Sequence, residues 1–214
     1  TAINSNGFTV GTQLTWNGSA ETYVAWQWQA GQGTTSSNTN GSITSTVSVN
    51  ATAGFSVVTY TGTGANATVG HGLGIAPSMI IAKNRSSGVT DWPVYHKNLT
   101  SASYYLWLNA TSAQASSAII WNNTAPTSSV FSIGTGSQTN GSTNSIVAYC
   151  WAEVAGFSKF GSYTGNGSAD GPFVYCGFRP RFIMFKSSSA VEDWIILDAA
   201  RNTYNGVNAF LLPD

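Results

Sequence analysis

The chain has 214 residues, no formal net charge at pH 7 and only 7% charged side chains, against about 25% in an ordinary soluble domain. Zero net charge removes the electrostatic attraction that dominates nucleic-acid affinity, so nucleic acid is excluded as a partner. No run of 18 or more apolar residues exists for a membrane span, no basic start precedes an apolar core as in a signal peptide, and 42% hydrophobic content without net charge predicts a folded chain rather than a disordered one.

Taken in chain order, the segments read all-β. Residues 55–60, 78–83, 92–96, 104–108, 118–121, 146–151, 182–186 and 194–197 are short and rich in β-branched and aromatic residues, with Gly, Ser, Asn or Pro at their ends. No window sustains a 3.6-residue period with caps. Residues 60–74 read as two strand ends joined through a Gly-rich turn, and Thr164-Gly165-Asn166-Gly167 reads as a similar turn. Antiparallel strands in a sandwich or barrel are expected. Residues 31–52 are Gly/Ser/Thr/Asn-rich and predict a linker, with a short strand at 43–49.

The chain also repeats itself. Phe8 to Trp28 aligns without a gap on Phe131 to Trp151, pairing Gly11 with Gly134, Asn17-Gly18-Ser19 with Asn140-Gly141-Ser142, and Val24-Ala25 with Val147-Ala148. A second set pairs Gly54-Phe55-Ser56 with Gly156-Phe157-Ser158, Tyr60-Thr61-Gly62 with Tyr163-Thr164-Gly165, Pro77 with Pro180, Lys83 with Lys186, and Asp91-Trp92 with Asp193-Trp194. The order and near-constant spacing predict tandem β-sandwich-like units of roughly 100 residues. The phase gives the end of one unit at 1–30, a linker at 31–52, a complete unit at 53–155 and the beginning of another at 156–214. Such a phase fits a fragment of a longer array, or orphan ends that complete each other within one chain or between neighbours by strand donation.

Residues kept in both copies read as architectural: Trp28 and Trp151, Trp92 and Trp194, the Trp26/Tyr149 pair, and Asp91 with Asp193. Unmatched aromatics are then the place to look for recognition. Trp16 beside Asn17, Trp121 beside Asn122, and Trp107 are the candidate ligand-binding residues, because an aromatic face can stack on a sugar ring while amides bond its hydroxyls. The same rings can equally fill the sandwich or a subunit interface.

Catalysis is not expected. Only His71 and His96 could serve as imidazole bases, and Gly-x-Ser-x-Gly does not occur. Glycoside hydrolysis would draw on Glu21, Asp91, Glu153, Asp170, Glu192, Asp193 and Asp198, whose spacing is not diagnostic. No zinc spacing, metal site or cofactor is predicted. The loop from Asn166 to Gly171 offers oxygen ligands for calcium or, equally, a turn held by its own side chains. Cys150 and Cys176 are either free thiols or a disulfide, the latter requiring Cα atoms within about 7 Å. Asn-x-Ser/Thr sequons such as those at Asn17, Asn50 and Asn98 follow from composition alone.

Three strings carry a family resemblance: AGFSVVTYTGTGANATVGHGLGIAPSMIIAKNR from Ala53, the pair YVAWQW and IVAYCW from Tyr23 and Ile146, and GFSKFGSYTGNGSADGPFVYCGFRPRFIMFK from Gly156. Together they resemble the repeated β-domain of tailed-phage tail-fibre and related virion proteins, common in marine phages, where such units often follow a concanavalin-like or SPRY-like lectin module. The resemblance implies a virion, host-facing and extracellular fibre setting but no particular ligand; with it, homo-oligomeric assembly and a structural, adhesive role toward host-surface glycans are expected. The competing expectation is a structural spacer or self-assembling filament subunit. No catalytic residue carries over.

Overall fold

The computed structural model describes residues 2–201 and 209–213. In chain order the elements are β1 (Ala2–Asn4), β2 (Gly7–Thr9), α1 (Leu14–Asn17), β3 (Ser36–Asn38), β4 (Ser45–Asn50), β5 (Phe55–Thr61), β6 (Ala67–Gly70), β7 (Met79–Asn84), β8 (Pro93–His96), β9 (Tyr104–Trp107), β10 (Ala115–Ser116), α2 (Ala118–Trp121), β11 (Val130–Ile133), α3 (Ser137–Asn140), β12 (Ser145–Trp151), β13 (Phe182–Phe185) and β14 (Ile195–Asp198). Eight of the strands form one antiparallel sheet in the order β10-β9-β8-β7-β12-β5-β4-β3. The remaining strands pair as β1 with β2, β6 with β11, and β13 with β14.

Strand β12 lies at the centre of the large sheet and is hydrogen-bonded on both sides, with Ala148 opposite Val58 of β5 and opposite Ala82 of β7. Successive side chains point to opposite faces, so a central strand covered on both faces is apolar at nearly every position. On one face Ile146, Ala148 and Cys150 join Val58, Tyr60, Ile80 and Ala82, and the β6–β11 pair closes over them with Val69, Phe131 and Ile133. Helix α2 adds Ile120 and Trp121 to that core. Ile81, Val94 and Leu106 face the other way, where Trp194 is buried among them and Trp92, Trp151 and Met184 pack at the margin. Trp194 Nε1 donates to the Trp107 carbonyl at 2.8 Å, which pins the C-terminal part of the chain onto that face.

Strands expected at 55–60, 78–83, 92–96, 104–108, 146–151, 182–186 and 194–197 are present as β5, β7, β8, β9, β12, β13 and β14. Three expectations are corrected. Residues 118–121 are the single helical turn α2, because the Ser117 hydroxyl accepts from the Ile119 N–H at its start and Asn122, at φ 49°, donates its N–H to the Ala118 carbonyl at its end. A four-residue apolar run fits a strand or a helix, and the caps decide. Residues 60–74 do not form a hairpin: β5 pairs with β4 and β12, whereas β6 crosses to the second sheet to pair with β11. Segment 31–52 carries its expected short strand as β4 but does not hang free as a linker around it: β3 joins the sheet too, and Ile43 and Val47 are buried. Its polar composition is tolerated because hydroxyls find inner partners, as where the buried Ser45 Oγ donates to the Gly70 carbonyl at 2.7 Å.

Candidate functional site

The candidate residues fall in three different settings. Trp16 lies on α1 with its side chain 47% exposed, so its ring face is available. Asn17 next to it donates Nδ2 to the Gly11 carbonyl at 2.7 Å, which commits part of the amide to holding the loop. Tyr23 closes the same loop: its hydroxyl accepts from the Gly18 N–H at 2.8 Å and lies 2.7 Å from Glu21 Oε2. Trp107 is half-buried in β9, tilted against Tyr105 with ring centroids 4.6 Å apart. Trp121 is 1% exposed, between Tyr95 and Phe131, so the expectation that it binds a ligand is corrected: no sugar reaches that ring. Asn122 serves as the left-handed cap of α2. Only Trp16 keeps an open aromatic face.

The larger exposed aromatic surface lies elsewhere. Phe157, Tyr163, Phe173 and Tyr175 are all exposed, Phe173 at 89%. A groove of about 500 Å³ runs along the loop from Phe173 to Pro180. Another, of about 590 Å³, separates Tyr23, Val24 and Trp26 from Arg181, Phe182 and Asp198. Two of these residues read as architectural in the sequence because they match buried ones: Phe157 corresponds to Phe55 and Tyr163 to Tyr60, whereas Phe173 and Tyr175 fall opposite Gly70 and Gly72. Cys150 is buried, Cys176 half-buried, and both are free thiols. Asn166 Oδ1 accepts from the Ser168 N–H and its Nδ2 donates to the Asp170 carbonyl, so that loop is held by its own side chains. Among the described residues no three His, Cys, Asp or Glu side chains converge as metal ligands, and no helix is long and apolar enough to cross a membrane.

A family of domains of unknown function, DUF7483, matches residues 1–214. The chain belongs to this family. No curated protein and no solved structure matches it. The family carries no assigned activity, so any chemistry has to be argued from this chain's own side chains.

Most ionisable groups near the sheet have structural partners. Glu153 bridges Lys159 at 2.6 Å and Lys97 at 2.7 Å. Partial burial alone would raise its carboxyl, but the two ammonium hydrogen bonds and the Phe160 N–H outweigh it and hold it at about 2. Asp198 is bound by Arg201 at 2.6 Å, which holds its carboxyl low, and Asp91 accepts from Asn109 Nδ2 at 3.0 Å. His71 is buried in the β6 turn, where Nδ1 accepts the Leu73 N–H and Nε2 faces the Thr127 carbonyl at 3.1 Å. That pattern requires a neutral ring protonated at Nε2, and burial accordingly lowers its pKa. His96 is lowered too, by burial and then by the Lys97 charge.

These shifts fix the sign of the pH dependence. Groups held below their ordinary pKa stabilise the fold above the unfolded value and lose that contribution as the pH falls through the folded one. The melting temperature is therefore expected to fall first below about pH 6.5, from the two histidines, and again between about pH 4.3 and 2, from Glu153. Calorimetry across that range checks it: Glu153→Gln should flatten the acidic limb and His71→Gln the neutral one. The acidic limb should be shallow, since both lysines are well exposed.

Proposed function

We propose that this chain is a structural module of an extended extracellular assembly, a segment of a tailed-phage tail fibre built from repeated β units of roughly 100 residues. The supporting observation is a side-chain bond made twice. Asn17 Nδ2 donates to the Gly11 carbonyl at 2.7 Å, and at the matched positions Asn140 Nδ2 donates to the Gly134 carbonyl at 2.8 Å. Helices α1 and α3 occupy the same matched stretch, at Leu14–Asn17 and Ser137–Asn140, whereas 22–28 and 157–164, which match β12 and β5, belong to no strand. The matched glycines agree as well: Gly54 and Gly156 have φ of 66° and 76°, a conformation that other residues adopt only with strain. Near-absence of charge and the exposed aromatic ribbon favour burial against further copies, the setting of a homo-oligomeric fibre. The role is non-catalytic.

Sedimentation and electron microscopy of the chain test this reading. Discrete homo-oligomers with elongated particles are expected, and a chain that stays monomeric at high micromolar concentration would remove it. The exposed Trp16 ring favours a second role, adhesion to host-surface glycans. A glycan array probed with the assembled wild type and with Trp16→Ala decides that role: binding lost in the variant supports it, and no binding by the wild type leaves the spacer function alone.

A further inference from the structure

In the large sheet, three neighbouring strands run β8-β7-β12, with Met79 opposite His96 on one side and opposite Trp151 on the other. Matching Pro77 to Pro180 and Asp91-Trp92 to Asp193-Trp194 sets Phe182 in the place of Met79 and Asp198 in that of His96. Phe182 does oppose Asp198 across the β13–β14 hairpin. Beyond it, Leu211 bridges Ile196 as Leu106 pairs with Val94 beyond β8. One neighbour of β13 is left to find, the strand that would play the part of β12.

Residues 22–28 match β12, with Trp28 in the place of Trp151. Trp28 lies where the end of that strand belongs. The Trp28 and Phe182 rings meet edge to face at 5.6 Å, at the position where Trp151 opposes Met79, and Trp26 meets Phe182 at 5.8 Å. Beside this contact runs the groove of about 590 Å³, lined by Tyr23 to Trp26 on one wall and by Arg181, Phe182 and Asp198 to Ala200 on the other. Trp28 also touches Trp151, its own counterpart, at 5.9 Å. A residue meets its counterpart only near an axis relating two copies, as in an isologous interface.

We propose that residues 22–28 add as a strand to the free edge of β13, closing this groove and building from the two ends of one chain a second β8-β7-β12 arrangement. The inference rests on the repeated-unit reading above. The chain's own segment is the occupant, because Trp28 already stands on Phe182 as the register requires and Trp26 reaches the same ring diagonally. Among the described residues 22–28 belong to no strand and β13 pairs with β14 alone, so a second ladder along β13 can take the backbone donors and acceptors of 22–28.

Hydrogen exchange and NMR on the intact chain, together with cysteine pairs in a Cys176→Ser background, form the test. Val24→Cys with Lys186→Cys corresponds to the Val147–Lys83 pair, and Ala25→Cys with Phe185→Cys to Ala148–Ala82. Consecutive antiparallel pairs alternate between about 4.5 and 5.5 Å in Cα separation, both within disulfide reach. Amides of 22–28 in the wild type are expected to exchange at least about 100-fold slower than an unstructured chain, and the disulfide to form in the monomeric fraction. Unprotected amides at 22–28 overturn the proposal whatever the variants do, and a disulfide found only in dimers overturns it in favour of exchange between copies. Cross-strand contacts between Phe182 and Asp198 separate the two readings. If they are missing, the repeated-unit reading falls; if they are present beside unprotected 22–28, only the seam falls.

Discussion

Asn140→Ala is expected to destabilise the fold by about 2–3 kcal/mol, a large effect for a single polar substitution. Its side chain is fully buried and bonds three separate backbone groups: Nδ2 donates to the Gly134 carbonyl at 2.8 Å and to the Ala65 carbonyl at 2.6 Å, and Oδ1 accepts from the Thr63 N–H at 2.7 Å. Truncation leaves the Gly134 carbonyl inside without this partner, at about 1–3 kcal/mol, while the Ala65 carbonyl and the Thr63 N–H lie on exposed residues where water takes over part of the lost bonds. Those groups belong to the β5–β6 connection and the loop after β11, so the side chain ties the large sheet to the smaller one that closes the core. Urea unfolding should show a lower midpoint with an unchanged slope. Asn17→Ala, where the matched bond is exposed, should cost well under 1 kcal/mol. An Asn140→Ala variant within 1 kcal/mol of wild type would show that the two sheets are held without it.

Trp121→Ala should rank beside it, at about 3–5 kcal/mol, because a fully buried indole leaves a cavity that the surrounding strands can only partly fill. Tyr95 and Phe131 each meet the ring edge-on, with centroids 6.2 and 6.5 Å away, and such pairs contribute about 0.5–1.5 kcal/mol beyond burial. Trp121→Phe is the informative comparison. The indole Nε1 has no hydrogen-bond partner among the described residues, so phenylalanine removes a desolvated donor as well as volume and should cost only about 1–2 kcal/mol. Chemical denaturation of the pair reads the difference directly. Equal losses for the two variants would mean that the N–H, and not the ring volume, is what the core requires.

The central strands were legible in the sequence because both faces of the sheet are covered. Ile146, Ala148 and Cys150 turn to one side and Tyr149 and Trp151 to the other, so the run is apolar or aromatic throughout. Segment 31–52 was legible in part: the short strand expected at 43–49 is β4, but β3 and the burial of Ser45 were hidden, since the bond that admits Ser45 to the interior comes from Gly70, 25 residues along the chain. Helix α2 was announced only by Ser117 and Asn122, which flank an apolar run that also suits a strand. The misplaced candidates have particular causes too. Trp121 looked specific because it lacks a counterpart, yet the position matching it falls before Thr1, so its being unmatched says nothing about divergence. Asn17 matches Asn140, a buried structural residue, and its own pairing already argued for architecture. Trp16, left open between an exposed and a packed ring, is exposed, its counterpart Thr139 being the buried member of that pair.

The margins of the large sheet have a consequence for colloidal behaviour. The outermost strands are the three-residue β3, Ser36–Asn38, and the two-residue β10, Ala115–Ser116. An unpaired strand edge is a template for adding another chain, and natural sheets commonly guard it with lysines or other charges. This chain has too few charged groups to do so, and none lies in either outer strand. Brevity replaces repulsion: neither margin offers enough consecutive N–H and C=O groups to seed runaway stacking. Because charge screening has nothing to act on there, that protection should persist from dilute buffer to seawater salinity.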